Sequence, residues 1–96
     1  MTGEQINKVL YPVQRFKVMG FLCQIEKSNY ESIAEFTSLS APDISKTVRA
    51  LEDNGYVKVW KIRRDRYPET IVRSTELGRA EMFNLIQVLK KYSVTR

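Results

Sequence analysis

The densest cluster of binding groups in this sequence is a run of basic side chains between residues 57 and 66. Five cations and one carboxylate, Asp65, give these ten residues a local charge of +4. Ammonium and guanidinium groups at this density attract phosphate, so the run indicates an anionic partner such as nucleic acid. A solvated hairpin carries such a run equally well, so charge alone does not identify the partner. The cations are Lys58, Lys61, Arg63, Arg64 and Arg66.

The side chains that most often carry catalysis or bind metals are nearly absent. The sequence has no histidine and one cysteine, Cys23, so it lacks the commonest general base and any set of zinc ligands. It also shows no glycine-rich phosphate loop and no nucleophile paired with a base. We therefore expect a protein that is not an enzyme and has no metal or cofactor. Cys23 is predicted to be a packed thiol in a reducing, cytoplasmic protein.

Charge is unevenly distributed along the chain. Residues 1–39 sum to zero, residues 40–75 to +3 and residues 76–96 to +2, which gives the net charge of +5. The length predicts one domain over residues 1–96. No apolar run approaches the ~20 residues of a membrane span, and residues 1–10 lack the pattern of a signal peptide. A membrane-surface peptide is disfavoured because the basic cluster lies on a predicted hairpin.

Apolar spacing and capping residues predict a series of helices before the basic cluster. A short helix is predicted over residues 4–10, and a largely buried one from Pro12 to about Lys27. Another short helix is predicted over residues 31–37. Ser40 is then a typical N-cap, Asp43 a favourable first-turn charge and Gly55 a typical left-handed end, so the next helix spans about residues 41–54.

The helices over about 31–54 have the spacing of a helix-turn-helix. Ile44, Val48 and Leu51 form a narrow buried stripe on the second helix, which leaves its opposite side free to contact a partner. An ordinary amphipathic helix pair gives the same periodicity. A β-rich stretch, a basic turn at 64–69 and a returning strand near 70–72 then predict a hairpin over about 56–74, in the position of a wing.

The predicted last helix, about residues 76–92, has more apolar surface than packing on one small body requires. It begins after the capping Thr75, and its apolar residues cover about half of its circumference. We interpret the surplus as a contact with the same helix of a second subunit. Cover by residues 4–10 of the same chain is the alternative. The predicted dimer contacts are Leu77, Met82, Leu85, Ile86, Leu89 and Tyr92.

Four short segments resemble those of one protein family. They are PVQRFKV (12–18) at the opening of the first helix, LSAPDISK (39–46) at the start of the recognition helix, LEDNGYV (51–57) at the helix-to-wing junction and TELGRA (75–80) at the entry to the last helix. With them, the chain from Tyr11 to Tyr92 resembles the winged-helix transcriptional regulators of the MarR and ArsR groups, and their small single-domain forms in particular. The junction at 51–57 is the most specific. Ser74 stands where the family usually has leucine, and Thr47 where close relatives often have histidine. The spacing of charges at 63–66 also departs from the family's wing.

The resemblance implies a mainly α fold with a small β-hairpin wing (α+β) and a C-terminal dimerisation helix. It implies a homodimeric regulator, expected to be a repressor, that binds duplex DNA sequence-specifically. Helix 41–54 then lies in the major groove, where Lys46 or Arg49 donates to guanine. The wing at 63–67 lies at the minor groove or its phosphates. The predicted DNA contacts are Ser40, Ala41, Pro42, Ser45, Lys46, Thr47, Arg49, Lys58, Lys61, Arg63, Arg64 and Arg66.

A winged helix that binds another protein instead of DNA is the alternative function, because the same fold serves both uses. The arginine cluster favours DNA, since a wing that binds protein does not need that charge. The sequence shows no site for a small-molecule effector.

Overall fold

The structure, a computed structural model, describes residues 5–93, which form four helices and a three-stranded antiparallel sheet. The predicted mainly α fold with a small β-hairpin is confirmed. No helix in these residues is long and apolar enough to cross a membrane. In chain order the elements are α1 (Val13–Leu22), β1 (Ser28–Asn29), α2 (Tyr30–Thr37), α3 (Ala41–Asp53), β2 (Val57–Arg64), β3 (Tyr67–Ser74) and α4 (Glu76–Lys91).

The start of the chain departs from its predicted structure. Residues 5–10 form turns and not the helix expected over 4–10, and Glu4 lies outside the described residues. Asn7 begins a single turn, because its Oδ1 accepts hydrogen bonds from the backbone N–H groups of Val9 (2.8 Å) and Leu10 (3.0 Å) and its carbonyl accepts from the Tyr11 N–H (3.0 Å). Pro12 stops this turn from continuing, because it lacks an N–H and disfavours the helical conformation of the residue before it. Leu10 is fully buried, so the segment packs on the core without being helical.

Helix α1 ends at Leu22, before the predicted end near Lys27. The chain must become extended by residue 28, because the two residues of β1 pair with β3. The prediction that this helix is buried on most sides is only partly right, since Val13 is 70% exposed. The pairs that fix β1 are Ser28 with Val72 and Asn29 with Ile71.

The turn and caps around α3 form as predicted. Ser38 ends α2 in the left-handed conformation, with φ 64°. The Ser40 hydroxyl then accepts a hydrogen bond from the backbone N–H of Asp43 (3.3 Å), which satisfies one of the free donors at the start of α3. After α3, Gly55 has φ 76°, a conformation that glycine adopts without strain.

The hairpin spans the predicted residues, but its returning strand is longer and its turn tighter than predicted. Strands β2 and β3 stay in register to the pair Arg64–Tyr67, so the turn contains only Asp65 and Arg66 and not residues 64–69. Asp65 has φ 55°, which aspartate tolerates better than most residues. Pro68 was expected in the turn but lies in β3, where the strand is paired with β2 alone, and proline is accepted at such positions.

Helix α4 packs closely on the junction between α3 and β2. The Thr75 hydroxyl donates to the Gly55 carbonyl (2.7 Å) and accepts from the Gly78 N–H (3.0 Å). A Cβ at position 78 would overlap the carbonyl oxygen of Tyr56, so glycine permits this close approach. The buried apolar core draws on every helix and on the sheet; its members include Val18, Met19, Leu22, Ile33, Ile44, Leu51, Val57, Val72, Met82 and Leu85.

Candidate nucleic-acid interface

Helix α3 presents one polar side to solvent because its other side is anchored in the core. Ile44, Val48 and Leu51 are buried, and at about 100° per residue they share one side of the helix. The opposite side is free to meet a partner. Six of the predicted DNA contacts are exposed on this side or at the start of the helix: Ser40, Ala41, Pro42, Ser45, Lys46 and Arg49.

Thr47 is not on that exposed side. It is only 4% exposed, and it directly precedes the buried Val48. Three residues after Ile44, helical spacing turns its side chain toward the core. The prediction of Thr47 as a DNA contact is therefore wrong, because a group this buried cannot reach DNA without unfolding the helix.

Tyr30, the first residue of α2, supports α3 beside its predicted DNA-contacting side. Burial raises the pKa of the Tyr30 hydroxyl, and the nearby Glu52 carboxylate acts in the same direction. A side-chain hydrogen bond with Ser45 and the guanidinium of Arg49 oppose that rise. Tyr30 thus contacts one predicted DNA contact, Ser45, and lies near another, Arg49. The sequence analysis missed it, because no local pattern reveals a contact between two helices.

The wing cations are distributed over both faces of the β2–β3 hairpin. Side chains alternate between the two faces along a strand. Lys61 and Arg63 therefore lie on one face, Lys58 and Arg64 lie on the other, and Arg66 lies in the turn. All five are exposed. A partner that approaches from one side therefore meets only part of the cluster.

The strand register adds one cation that sequence reasoning missed. Arg73 is exposed on β3 and lies directly opposite Lys58. In sequence it stands apart from the basic run, next to Ser74 and close to α4. Only the register, which pairs the base of one strand with the end of the other, brings the two charges together.

Arg64 differs from the other wing cations because it is paired. Its Nη1 donates to Glu69 Oε1 across the hairpin (3.0 Å). The second carboxylate oxygen of Glu69 accepts from Asn29 Nδ2 (2.7 Å). Asn29 in turn is the N-cap of α2, where its Oδ1 accepts from the Ser32 N–H (2.8 Å). We call these three residues, Asn29, Glu69 and Arg64, the wing clamp.

Two of the predicted dimer contacts on α4 belong to the core of this chain. Met82 and Leu85 are 3% and 2% exposed. Their prediction as contacts with a second subunit is wrong, because the chain's own core already covers them. Leu89 is partly buried against the same core. The remaining predicted contacts are exposed: Leu77, Ile86 and Tyr92.

The exposed apolar residues of α4 lie on both sides of its buried stripe. Leu77 and Ile86 are nine residues apart, which places them about 180° apart around the helix. Phe83, which the sequence analysis left outside the interface, is 62% exposed and lies on the side of Ile86. On the other side, Asn7 donates to Glu81 (3.0 Å). The start of the chain thus reaches α4 through a polar contact, but Leu77, Phe83 and Ile86 stay exposed, so cover of the apolar surplus by residues 4–10 is not confirmed.

Residues 14–93 match the profile of a family described as the winged helix DNA-binding domain. This chain belongs to the winged helix DNA-binding domain family. A comparison with curated proteins finds no match.

Solved structures share this winged-helix fold. A transcriptional regulator homologue from Pyrococcus horikoshii OT3 superposes with a TM-score of 0.81 and 31% identity, covering 88% of this chain and 83% of that one. A MarR family regulator from Silicibacter pomeroyi has a TM-score of 0.71 and 16% identity, over 86% and 55% of the two chains. The transcriptional repressor BigR from Xylella fastidiosa has a TM-score of 0.66 and 18% identity, covering 93% of this chain and 84% of that one.

Family membership confirms the predicted resemblance to winged-helix regulators. It also confirms that the chain is not an enzyme, since this family consists of DNA-binding regulators. Within residues 5–93, no three histidine, cysteine, aspartate or glutamate side chains are grouped to hold a metal ion. Cys23 is half-buried, and burial raises the pKa of its thiol against a smaller opposing effect of Arg79.

Proposed function

We propose that this winged helix is a homodimeric transcriptional repressor that binds duplex DNA sequence-specifically. The observation that carries the proposal is the polar exposed side of α3, with Lys46 and Arg49, combined in one chain with a wing of exposed cations. An α-helix with such a side fits the major groove, where arginine and lysine read guanine. Ser40 and Ser45 are proposed to bind phosphate and fix the register.

The wing is proposed to contact the minor groove or its phosphates. Arg63 and Arg66 are exposed at its tip and form no ion pair with the described residues. Cations placed this way attract the narrow, strongly negative groove next to a major-groove contact. Lys58, Lys61 and the newly found Arg73 would add phosphate attraction along the hairpin.

Dimerisation is supported by the apolar side of α4 that carries Phe83 and Ile86. Both side chains are exposed, at 62% and 37%, and nothing in the described residues covers Phe83. A two-fold axis through this side would pair two copies of the helix. It would also present two recognition helices to successive major grooves, about 34–36 Å apart. Repression is supported by the fold shared with BigR, which is itself a repressor.

A winged helix that binds protein remains the second candidate, and one observation favours it. Phe36 is 59% exposed and stacks on Phe21 of α1, with ring centroids 4.5 Å apart. Exposed aromatic pairs are typical of protein contacts. This pair lies on the α1–α2 surface and not on the basic wing, so it is compatible with DNA binding elsewhere.

Selection from random duplex DNA, followed by sequencing, tests the function directly. The purified chain is expected to enrich a two-fold symmetric sequence whose half-sites are about 10–11 base pairs apart. An enriched palindrome would support DNA reading and dimer symmetry together. Recovery of unenriched random sequence would contradict sequence-specific binding.

A charge-reversed wing tests whether the hairpin contacts that DNA. The variant Lys61→Glu/Arg63→Glu/Arg66→Glu keeps the Arg64–Glu69 pair and should abolish binding to the enriched duplex. Its matched control reverses three exposed cations outside the wing, α3 and the Phe83 side of α4: Lys8, Lys17 and Lys91. Equal loss in both variants would mean that net charge, and not the wing, attracts the duplex.

A further inference from the structure

We propose that Glu69 is a positioning residue for DNA recognition, which holds the wing at a fixed angle to the helix-turn-helix through the wing clamp. This inference rests on the proposed function. Glu69 is not itself proposed to touch DNA. It acts through Arg64 on one side and Asn29 on the other, with hydrogen bonds of 3.0 and 2.7 Å.

The hairpin needs such a support because it extends far beyond its third strand. Strand β1 pairs with β3 only at Val72 and Ile71, while the hairpin continues to the turn at residues 65–66. In the part of the chain that the structure describes, the bond from Asn29 to Glu69 is the hydrogen bond that ties this outer half of the wing to the helices. A two-stranded ribbon without support is free to twist and bend.

Asn29 is a rigid anchor for this bond. Its Oδ1 is held by the Ser32 N–H at the start of α2, so the amide plane is set by the helix and its Nδ2 is aimed at Glu69. The next residue, Tyr30, shares a side-chain hydrogen bond with Ser45 on α3 and lies near the charge of Arg49. The position of the wing is thereby connected, through α2, to the residues that are proposed to enter the major groove.

Arg64 can bind a phosphate while it is paired with Glu69. The guanidinium has five N–H donors in a planar fork, and the pair with Glu69 uses one nitrogen. The Arg64 side chain is 69% exposed and that of Glu69 23%. An ion pair this exposed contributes little to folding stability. Its consequence is therefore orientation: Glu69 fixes the direction in which Arg64 presents its free edge.

Two isosteric variants separate this role from a simple change of charge. Glu69→Gln removes the ion pair with Arg64, and Asp65→Asn removes the same charge from the wing turn without touching the clamp. Both are measured by fluorescence anisotropy against the enriched duplex and against a random-sequence duplex of equal length. Glu69→Gln is expected to weaken binding to the enriched duplex about threefold to tenfold relative to Asp65→Asn. Binding to the random duplex should be equal for the two variants.

Asn29→Ser tests the other end of the clamp. Serine retains the N-cap of α2 but has no amide to reach Glu69. We expect the same selective loss on the enriched duplex, with a thermal midpoint close to that of the original chain. Combining Asn29→Ser with Glu69→Gln should then cost little more than either change alone, because both break one linkage.

The outcomes distinguish this inference from the function on which it rests. If Glu69→Gln and Asp65→Asn bind the enriched duplex equally, the positioning role is refuted while DNA recognition stands. If the original chain enriches no duplex at all, the proposed function fails, and the positioning role fails with it. A loss of equal size on enriched and random duplex would also overturn the inference, because it would indicate a direct phosphate effect.

Discussion

Helices α3 and α4 are built alike and differ in what they leave exposed. Each begins at a hydroxyl cap, Ser40 or Thr75, and has one acidic residue in its first turn. Each also buries one stripe of side chains in the shared core. Beyond that stripe, α3 exposes serine, lysine and arginine, whereas α4 retains large apolar groups such as Phe83.

The exposed side of each helix, and not its buried stripe, therefore indicates the kind of partner it binds. A cationic side gains from a polyanion, and the gain comes from release of condensed counterions. An apolar side gains from removal of its surface from water. Salt opposes the first interaction and not the second. The DNA contact of α3 and the dimer contact of α4 should therefore respond differently to the same change in salt or in sequence.

Raising the salt concentration should give the largest difference between the two surfaces, because it weakens DNA binding and not the dimer. If six to ten phosphates are contacted, log Kd against log salt has a slope of magnitude about 5–9, so DNA affinity falls by about 10³–10⁵ between 50 and 200 mM. The dimer should persist across the same range. Anisotropy with labelled duplex measures the first quantity and sedimentation velocity the second. A flat DNA response would contradict phosphate binding by the wing.

Charge reversal on α3 should have the next largest effect. Lys46→Glu/Arg49→Glu is expected to weaken binding to the enriched duplex by about 100-fold or more, because two attractive contacts become repulsive. The same protein should sediment as the unchanged dimer. Dissociation of the dimer by this variant would show that the two surfaces are not independent.

An apolar-to-charged change on α4 should give the reverse pattern. Phe83→Glu or Ile86→Glu is expected to weaken the dimer by about 2–4 kcal/mol, because a carboxylate would have to be buried at the interface. Asn84→Glu, an exposed position on the same helix away from Phe83 and Ile86, is the matched control. Leu89→Glu is less informative, because Leu89 packs partly on the chain's own core. An original chain that is already monomeric at micromolar concentration would exclude this interface.

The close approach of α4 to the end of α3 should be visible in stability. Gly78→Ala is expected to lower the free energy of unfolding by about 2–3 kcal/mol, because the added Cβ meets the Tyr56 backbone. Gly20→Ala in α1 places its Cβ 3.3 Å from the flexible end of Met82, and alanine favours a helix. Urea denaturation should therefore show that Gly20→Ala leaves the free energy of unfolding nearly unchanged. Equal effects at both positions would contradict the close packing.

The smallest expected difference is between the two helix caps, in the free energy of unfolding that each contributes. Thr75→Ala removes two hydrogen bonds, to Gly55 and from Gly78, and is expected to cost about 2 kcal/mol. Ser40→Ala removes one longer, exposed bond to Asp43 and should cost about 0.5–1 kcal/mol. Thermal unfolding of the two variants provides the comparison. A larger loss at Ser40 would reverse the assignment of the stronger cap.

Local patterns predicted most of the helical part of the fold. The Ser40 cap, the stripe through Ile44 and Leu51, and the left-handed Gly55 are each defined by residues at most about two helical turns apart, so a single sequence suffices. The helix expected over residues 4–10 failed for a local reason as well. Pro12 stops the turn that Asn7 begins, and apolar spacing does not register the effect of a proline on the residue before it.

Contacts between distant segments could not be predicted in this way. The wing clamp joins Asn29 to Glu69, 40 residues apart, and strand β1 exists only because β3 lies beside it. Thr47 and Met82 were placed in the right helices, but both side chains face the core and not the predicted partner. Which part of an apolar arc faces the chain's own core depends on how the helices pack, and periodicity alone does not specify that.

The strand order β1–β3–β2 leaves β2 at the edge of the sheet. Its sequence is rich in residues that favour strands, and Trp60 and Ile62 are 37% and 39% exposed. Such an edge is a template for pairing with another edge. We therefore expect the cations along it also to keep free copies of the chain apart in solution. Alanine at Lys58 and Lys61 would remove that repulsion, so we expect it to promote aggregation, whereas glutamate would preserve the repulsion with the opposite sign.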